Sequence, residues 1–391
     1  MQVQKIREII NNGENSYIEF KEEDIKAKDL AEEIVAFANS EGGMILIGVD
    51  DHGCIKGISD ALIEEKIMNV CRYNCIPHII PTFQRFEIEG KPIAAITIHK
   101  GLSKPYYTTD HKYYIRVGTT KRIASREELL RLFEANGALH FDISPVEYTS
   151  IKDLSIDVIR NYFIKYNAFD LYEENKETTE RILINADIMK EVNGKAFCTV
   201  GGLLIFGREP ETRLPQNGIS FAHFNGIEIT NELIDKKVLV GRIQDIAEQT
   251  MVVLKNNMKS PSVINGIKRE EQEEYPILVL REAIVNTLVH RNYSISGSKI
   301  RIFMFDDRIE FRSPGRLPNT VTVDKMKIGI SYARNPFLVK YMENLRYIDQ
   351  LGRGIPMILK TMKEAGAKQP LLQESGEEFI LTIYKGSTKK Q

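Results

Sequence analysis

Residues 36–50 read AFANSEGGMILIGVD, and this stretch decides the fold of the first third of the chain. Apolar residues recur at helical spacing over residues 30–37, and Asn39 with the glycine pair behind it predicts where that helix ends. The continuous apolar run over residues 44–49 is typical of a buried strand. The polar residues 50–53 then predict a hairpin turn. The stretch therefore predicts a helix that leads directly into a buried strand.

The segments on either side of this stretch complete an α+β unit. The residues before the helix alternate as in a strand, with Ile18 and Phe20 on one face and Glu19 and Lys21 on the other. Further helices are predicted at 3–11, 59–73 and 125–134, the last with a capping box, a hairpin at 79–88 and 92–99, and a strand at 113–117. We expect this domain to span residues 1–136.

The remainder of the chain predicts two further parts. Residues 150–265 are expected to form a mainly helical middle segment, which includes an amphipathic helix near its end. The charged residues 259–275 predict a loop. Residues 266–386 then predict a second mixed domain, with helices at 277–290 and 353–366 and strands at 299–305 and 308–312. The whole chain is therefore expected to be of the α+β class.

The length and charge of the chain limit its function. At about 150 residues per domain, 391 residues predict two or three domains. The net charge of −1 argues against indiscriminate coating of nucleic acid, so any such partner would have to meet a local basic patch. No stretch approaches 18 consecutive apolar residues, so no membrane span is expected. The charged N-terminus lacks the apolar core of a signal peptide, and we expect a cytoplasmic location.

The four cysteines do not suggest a disulfide framework in a chain of this length. Cys71 and Cys75 lie four residues apart, with His78 close behind. This spacing leaves two interpretations, a zinc site or two buried thiols on one helical face. We favour the buried thiols, because zinc ligands usually come in closer pairs.

Acidic residues gather around the first two predicted strands. Glu14 lies in a turn before the first strand, Glu19 and Lys21 share one of its faces, and Asp50 ends the second strand. Carboxylates at strand ends can hold a divalent metal through their oxygens. Such a metal can generate hydroxide and neutralise the charge that develops on a phosphate during cleavage. A nearby lysine would hold the phosphate as a point charge.

These residues belong to motifs that resemble the AlbA-type domain of Schlafen proteins. The motifs are ENSYIEFK at 14–21, AFANSEGG at 36–43, IGVD at 47–50, Gly57 and YYIRVG at 113–118. The resemblance implies a nuclease that cleaves tRNA and rRNA with two glutamates and one aspartate. Those roles would fall on Glu14, Glu19 and Asp50, with Asp51 as the alternative aspartate, and Lys21 would match the lysine of the same motif. It also implies Mg²⁺ or Mn²⁺ as the cofactor.

The same resemblance leaves two questions open. A version of the fold that only binds nucleic acid, or serves as a scaffold, would keep these motifs as solvated surface. Eukaryotic Schlafen proteins use two tandem copies of the module, whereas this chain has one. A paired groove would therefore require a homo-oligomer.

Basic and aromatic residues alternate in the strand at 113–117 and just beyond it. Tyr113, Tyr114 and Arg116 lie in the strand, and Lys121 and Arg122 follow it. Basic groups interleaved with aromatic rings suit contact with an RNA backbone together with base stacking. The alternative is an ordinary strand with a polar rim.

A second group of motifs lies in the last third of the chain. Glu282 and Asn286 form an E-x-x-x-N pair on one face of a predicted helix. A carboxylate in that position can orient water, and an amide oxygen can ligate magnesium. Gly352 and Gly354 flank an arginine before another predicted helix, where backbone N–H groups could meet phosphate.

This second group resembles the C-terminal GHKL-type ATPase domain of RecG-like transcriptional regulators. The resemblance rests on REAIVN at 281–286, HRNYS at 290–294, DDR at 306–308, SPGRL at 313–317, RNP at 334–336 and GRG at 352–354. It implies a GHKL-like α/β sandwich with a nucleotide site formed by Glu282, Asn286, Gly315, Gly352 and Gly354. Bound ATP is then possible.

The sequence departs from the GHKL pattern where adenine would be recognised. Ser313 stands where the family uses an aspartate, and a serine cannot accept the same charge-assisted hydrogen bond from the adenine amine. We therefore expect recognition of phosphate and magnesium more than of adenine. His290 and Arg291 either face a phosphate or stabilise the end of a helix, and we favour the second interpretation.

Three functions remain open on this basis. The first is a metal-dependent endoribonuclease that acts on tRNA or rRNA in phage defence or stress response. The second is a DNA-binding transcriptional regulator controlled by a nucleotide. The third is a scaffold in which both sites are inactive. We favour the first because the three acids are all present.

Overall fold

The computed structural model describes residues 3–135, 140–167, 170, 176–258, 262–265, 268–271, 274–318, 321–348 and 353–386. The chain divides into two compact units, Met1–Leu139 and His140–Gln391, which are called unit 1 and unit 2. Both units combine helices with strands, and this confirms the α+β class that the sequence predicts.

The helices and strands predicted for the first third of the chain are all present in unit 1, with ends shifted by a few residues. The helices are α1 (Val3–Asn12), α2 (Ala27–Asn39), α3 (Ile63–Tyr73) and α4 (Arg126–Ala135). The strands are β1 (Ile18–Lys21), β2 (Gly43–Ile47), β3 (Cys75–Ile76), β4 (Thr82–Ile88), β5 (Lys91–Ile98), β6 (Tyr107–Thr108), β7 (Tyr114–Val117) and β8 (Thr120–Ile123).

A four-stranded sheet in the order β1–β2–β5–β4 forms the centre of unit 1. β1 and β2 are parallel, so the chain needs a crossover between them, and α2 provides it. The turn from α2 into β2 requires a glycine at position 42. Its φ is 80°, and a Cβ there would lie 2.6 Å from the carbonyl oxygen of Ile98.

Both faces of this sheet are covered by helices. On one face, Ile45 and Ile47 of β2 pack in a cluster with α2 and α3. On the other face, Phe20 and Leu46 pack with Ile6 of α1. Burial on both faces explains why β2 is a continuous apolar run instead of an alternating one.

Unit 2 contains the remaining elements. Its helices are α5 (Ile156–Asn167), α6 (Lys176–Asn185), α7 (Val200–Phe206), α8 (Pro210–Arg213), α9 (Ile243–Asn257), α10 (Ile277–Val289), α11 (Val323–Lys327), α12 (Pro336–Asn344) and α13 (Gly354–Glu364). Its strands are β9 (Met189–Val192), β10 (Lys195–Cys198), β11 (Ile219–Phe224), β12 (Leu233–Leu239), β13 (Ser262–Asn265), β14 (Lys268–Glu271), β15 (Ile300–Met304), β16 (Arg308–Pro314), β17 (Leu371–Ser375) and β18 (Glu378–Tyr384).

The main sheet of unit 2 corrects the predicted division of this part of the chain. Its order is β12–β11–β15–β16–β18–β17, with β11 parallel to β15. Because β11 and β12 come from residues 150–265, the boundary expected near residue 265 falls within one sheet. The middle segment contributes strands beside its helices, and residues 262–265 and 268–271 pair as β13 and β14 where a loop was predicted. Local periodicity does not reveal strand partners that are distant in sequence.

The thiols of Cys71 and Cys75 are buried, as the favoured interpretation predicted. They do not share one helical face, because Cys71 lies in α3 and Cys75 begins β3. Burial raises the pKa of the Cys71 thiol to about 12. Among the described helices, none is both long and apolar enough to cross a membrane.

Candidate functional site

Strand alternation places Glu19 and Lys21 on the face of the unit 1 sheet that carries α2. Glu19 is paired in register with Ile45, which packs against α2, while Phe20 between them points toward α1. A carboxylate and an ammonium thus enter a largely apolar layer, where each needs a partner.

Both oxygens of the Glu19 carboxylate are held by cations. Lys21 Nζ lies 2.5 Å from Oε1, and Arg116 Nη1 donates a hydrogen bond of 2.6 Å to Oε2. Only 7% of the Glu19 side chain is exposed. Glu19 is therefore fixed in position by charge-assisted hydrogen bonds from two cations.

Arg116 is the centre of this arrangement. Its side chain is 2% exposed and lies over the Phe37 ring, with 4.5 Å from the guanidinium carbon to the ring centroid. Besides Glu19 it reaches Glu33 Oε2 at 3.1 Å and the carbonyl oxygen of Asn15 at 3.0 Å. One arginine thus joins β7, α2 and the turn before β1.

Further charged and polar groups extend this arrangement along α2. Lys121 Nζ lies 3.0 Å from Glu32 and 3.1 Å from Glu33, and the Tyr114 hydroxyl donates to Glu32 Oε1 at 2.9 Å. Burial, together with the Glu32 carboxylate, raises the pKa of Tyr114. The carboxylates and cations match in number. We call the group of Glu19, Glu32, Glu33, Lys21, Arg116, Lys121 and Tyr114 the charge network.

Glu14 lies at the edge of the charge network. Its carboxylate accepts a hydrogen bond of 2.8 Å from the backbone N–H of Phe20. Burial raises the pKa of Glu14, and the nearby carboxylates of Glu19 and Asp51 raise it further. The charges of Glu19 and Asp51 therefore both act on Glu14.

The Asp50 carboxylate is hydrogen-bonded within its own loop. Oδ1 accepts hydrogen bonds from the N–H groups of His52 and Cys54, at 3.0 and 2.8 Å, and Oδ2 lies 3.2 Å from Lys56 Nζ. The hydrogen bond from Cys54 is the main cause of its lowered pKa. These bonds close the turn that the sequence predicts after β2.

The acids do not form a metal-binding group in this arrangement. Among the residues that the structure describes, no group of three or more His, Cys, Asp or Glu side chains is placed to hold a metal ion. Lys21 and Arg116 take both Glu19 oxygens, and Asp50 is engaged in its turn. Oxygen donors of the right kind are present, but as placed they do not fit a bound ion.

The residues predicted to bind nucleic acid are largely engaged within unit 1. Tyr114 and Arg116 are buried, and Lys121 is 23% exposed and paired with α2. Arg122 is exposed and forms a bidentate pair with Glu128, at 2.8 and 2.7 Å. As placed, Tyr114 and Arg116 support the fold and do not present their polar groups to a ligand.

Sequence reasoning missed the contribution of α2. Glu32 and Glu33 are adjacent acids inside an otherwise apolar helical stretch, which is the pattern that could have shown them to be buried and paired. Asn39, interpreted only as a helix end, also joins β7 to the segment just before β6. Its amide donates to the carbonyl oxygens of Tyr106 and Tyr114, at 2.8 and 2.9 Å.

Unit 2 contains a cavity of about 420 Å³ that brings most of the second motif group together. Glu282, Asn286, Ser313, Gly315 and Gly354 all line it. Gly352 lies outside the described residues. A cavity of this volume is in the range of small-molecule sites.

Close packing at the start of α13 fixes the Glu282 carboxylate. Asn286 Nδ2 donates a hydrogen bond of 2.9 Å to Glu282 Oε1, as the four-residue spacing on α10 predicts. A Cβ at position 354 would lie 1.9 Å from the same oxygen, so only glycine permits this approach.

The hydroxyl of Ser313 is engaged with α10. It is nearly buried and donates a hydrogen bond of 3.2 Å to the carbonyl oxygen of Thr287. Ser313 therefore lines the cavity with a short neutral side chain whose donor is already in use.

Arg291 neither faces the cavity nor acts simply as a cation at the end of α10. It is fully buried and donates to the carbonyl oxygens of Asn292, Ile295 and Ser298, at 2.6–2.7 Å. It therefore organises the loop that leads into β15. His290 does line the cavity, and burial lowers its pKa to about 4, with a smaller contribution from Arg334.

Comparisons with known families agree with both resemblances. Residues 14–125 match the family described as "Schlafen, AlbA_2". Residues 297–383 match the family described as "Putative ATP-dependent DNA helicase recG C-terminal". No curated protein matches the chain closely enough to count as a relative.

Two solved structures show distant similarity. The DIP2311 protein of Corynebacterium diphtheriae is 19% identical, with a TM-score of 0.49, over 98% of this chain and 80% of its own. The N-terminal domain of a RecG-related protein of Nitrosomonas europaea is 24% identical, with a TM-score of 0.26, over 32% of this chain and 90% of its own. The family matches, rather than these structures, identify the domains. The chain thus carries a Schlafen AlbA_2 domain in unit 1 and a domain of the RecG C-terminal type in unit 2.

Proposed function

We propose that the chain is an endoribonuclease that cleaves structured RNA of the tRNA or rRNA type through unit 1. The two family matches support a nucleic-acid-related function, and the Schlafen AlbA_2 match covers the acids concerned. The observation that carries the proposal is the close placement of Glu14, Glu19 and Lys21. The Glu19 carboxylate raises the pKa of Glu14, and Lys21 lies against Glu19.

The roles of these groups follow from their surroundings. Glu14 has a raised pKa, and a carboxyl group of this kind is better matched to proton transfer near neutral pH than an ordinary one. Glu19 is held rigidly between Lys21 and Arg116. Lys21 is 23% exposed and can offer its ammonium to a phosphate.

We propose that this cleavage depends on Mg²⁺ or Mn²⁺. The charges favour Glu14, Glu19 and Asp51 as the acids that would meet such an ion, since Asp51 acts on Glu14. The arrangement of these side chains in this structure does not fit a bound metal ion.

Cleavage assays test the proposal directly. Purified protein is incubated with tRNA, rRNA and single- and double-stranded DNA, in Mg²⁺, in Mn²⁺ and in EDTA. We expect RNA cleavage that Glu14→Gln and Glu19→Gln abolish, while Glu128→Gln, a change at an exposed ion pair of the same unit, leaves it intact. Circular dichroism checks that each variant is folded.

Three outcomes would count against this function. Intact RNA under all conditions, or unchanged cleavage by the folded Glu14→Gln variant, removes the nuclease assignment. Sequence-specific binding to duplex DNA without cleavage favours the transcriptional regulator instead. Parallel assays of Asp50→Asn and Asp51→Asn decide which aspartate takes part.

A second function, nucleotide binding in unit 2, is supported by the cavity. Glu282 and Asn286 supply oxygens for magnesium, and Gly354 lies at the start of α13, where backbone N–H groups favour phosphate. Ser313 offers no charged acceptor for adenine. We therefore propose weak binding with little preference between ATP and GTP.

Calorimetry with both nucleotides and magnesium tests this proposal, with Asn286→Ala expected to reduce the affinity. A missing charged hydrogen bond costs about 1.5–3 kcal/mol, or roughly one to two decades in affinity. Tight ATP-selective binding would show that another residue recognises the base. No binding at millimolar nucleotide would show that the domain keeps its shape for a structural purpose.

A further inference from the structure

Three rings contact one another at the turn between β6 and β7, one pair stacked and the other tilted. Tyr107 and His111 lie 5.8 Å apart between ring centroids, at an interplanar angle of 26°. Tyr107 and Tyr113 lie 5.2 Å apart, at 43°. We call these three residues the aromatic platform.

The aromatic platform faces solvent rather than the core. His111 is exposed, and both tyrosines are only half-buried. Tyr113 precedes Tyr114 and Arg116, whose side chains point toward α2, so strand alternation directs its ring away from the charge network. Within the part of the chain that the structure describes, neither the Tyr107 nor the Tyr113 hydroxyl has a hydrogen-bond partner.

Hydrogen bonds within the turn order the backbone that carries the aromatic platform. Thr108 donates from its backbone N–H to Lys112 O at 3.0 Å and accepts from His111 N–H at 2.8 Å, while its hydroxyl donates to Asp110. His111 has a φ of 58°, which histidine adopts more readily than most residues. Pre-ordered rings lose little conformational entropy when a ligand stacks on them.

The surrounding charges indicate recognition by stacking rather than by charge. Lys28 and Lys112 lie near the turn between β6 and β7. Asp110 pairs with both, because its Oδ2 lies 3.3 Å from Lys28 Nζ and 3.4 Å from Lys112 Nζ. Their attraction for phosphate is therefore partly cancelled. An exposed, pre-ordered aromatic surface without strong net charge suits the flat face of an unpaired nucleobase.

We propose that the aromatic platform is a stacking site for unpaired bases of single-stranded RNA. The inference rests on the proposed function and adds to it a binding site apart from the cleaving acids.

Binding of a labelled single-stranded RNA of about 10 nucleotides tests the inference, with an abasic twin of equal length as the second probe. All measurements use the full chain with Glu14→Gln, so that cleavage does not interfere. We expect Tyr113→Ala and His111→Asn to weaken binding of the RNA roughly 5- to 150-fold. Neither should change binding of the abasic twin or the salt dependence, and Tyr113→Phe should bind like the parent.

Tyr73→Ala is the matched control, because Tyr73 is 62% exposed on α3 of the same unit. The inference is overturned if Tyr113→Ala binds RNA as the control does, or if it weakens the abasic twin equally. Loss of cleavage with intact platform-dependent binding would instead remove only the nuclease assignment. If the protein without platform substitutions binds neither probe, the inference is overturned, while cleavage of tRNA or rRNA in the earlier assay still decides the nuclease assignment.

Discussion

Arg116 brings a guanidinium into the interior of unit 1, where its charged partners are two carboxylates from different elements. Burying such a cation is unfavourable unless its partners are well placed. Removing it leaves Glu19 and Glu33 with one partly exposed lysine each, Lys21 and Lys121. We therefore expect Arg116 to contribute more to the free energy of unfolding than the more exposed cations of the charge network.

Arg116→Met should destabilise unit 1 by about 3–5 kcal/mol, as is typical when one partner of a buried ion pair is removed. Arg122→Met is the matched control, since Arg122 forms an exposed pair with Glu128, and we expect little change there. Urea unfolding followed by circular dichroism measures both. Equal midpoints for the two variants would show that the charge network does not stabilise the fold.

Asp142 is a second buried charge, in unit 2. Its Oδ2 accepts hydrogen bonds from the N–H groups of Phe337 and Leu338 at the start of α12, at 2.8 and 3.3 Å. Burial nevertheless raises the pKa of Asp142 to about 6. The folded state thus prefers the protonated form more than the unfolded state does.

A raised carboxyl pKa makes folding less favourable as the pH rises from the unfolded value toward about 6. From about pH 4 to pH 7, unit 2 should lose roughly 2–3 kcal/mol through Asp142. Asp142→Asn should remove this contribution, so the difference in free energy of unfolding between parent and variant should change with pH. Thermal unfolding across this range measures it, and parallel pH profiles would contradict the assignment.

At the scale of elements, patterns within one segment were predictable from the sequence. The capping box of α4 is confirmed, with Glu128 N–H donating to Ser125 Oγ and Ser125 N–H donating to the Glu128 carboxylate. The helical periods of α2, α9 and α13 are confirmed in the same way. Each of these depends on residues a few positions apart.

Features that depend on distant partners were not predictable. β11 joins β15 across many residues, and Arg116 reaches Glu19 from the far end of the domain. The motif residues of unit 1 could be named, but not the pairing of Arg116 with Glu19 and Glu33. The engagement of Asp50 within its own turn needed coordinates, because an aspartate after a strand suits a turn and a metal equally well.

The start of α13 provides a test at this scale. Gly354→Ala would place a methyl group 1.9 Å from Glu282 Oε1, so the helix or the carboxylate must shift. We expect a lower melting temperature for unit 2 and weaker nucleotide binding. Gly297→Ala is the control, because a Cβ there meets nothing within 4 Å. If both variants melt alike, the close packing of Gly354 is not a constraint.

At the scale of the molecule, the two candidate sites draw on separate residues. The contacts of Glu14 and Glu19 lie within residues 14–116, and the cavity is lined from residue 282 onward. No described side chain contributes to both. The simplest expectation is that the two sites work independently.

Glu14→Gln and Asn286→Ala should therefore act additively when combined. RNA cleavage should respond only to the first and nucleotide binding only to the second, because separate sites without shared partners usually add within about 0.5 kcal/mol. Cleavage rates and calorimetry on the parent, both single variants and the double variant form the complete cycle. A coupling of about 1–3 kcal/mol, or cleavage that changes with nucleotide in the parent but not in Asn286→Ala, would contradict independence. That result would show instead that the nucleotide controls the action of unit 1 on nucleic acid.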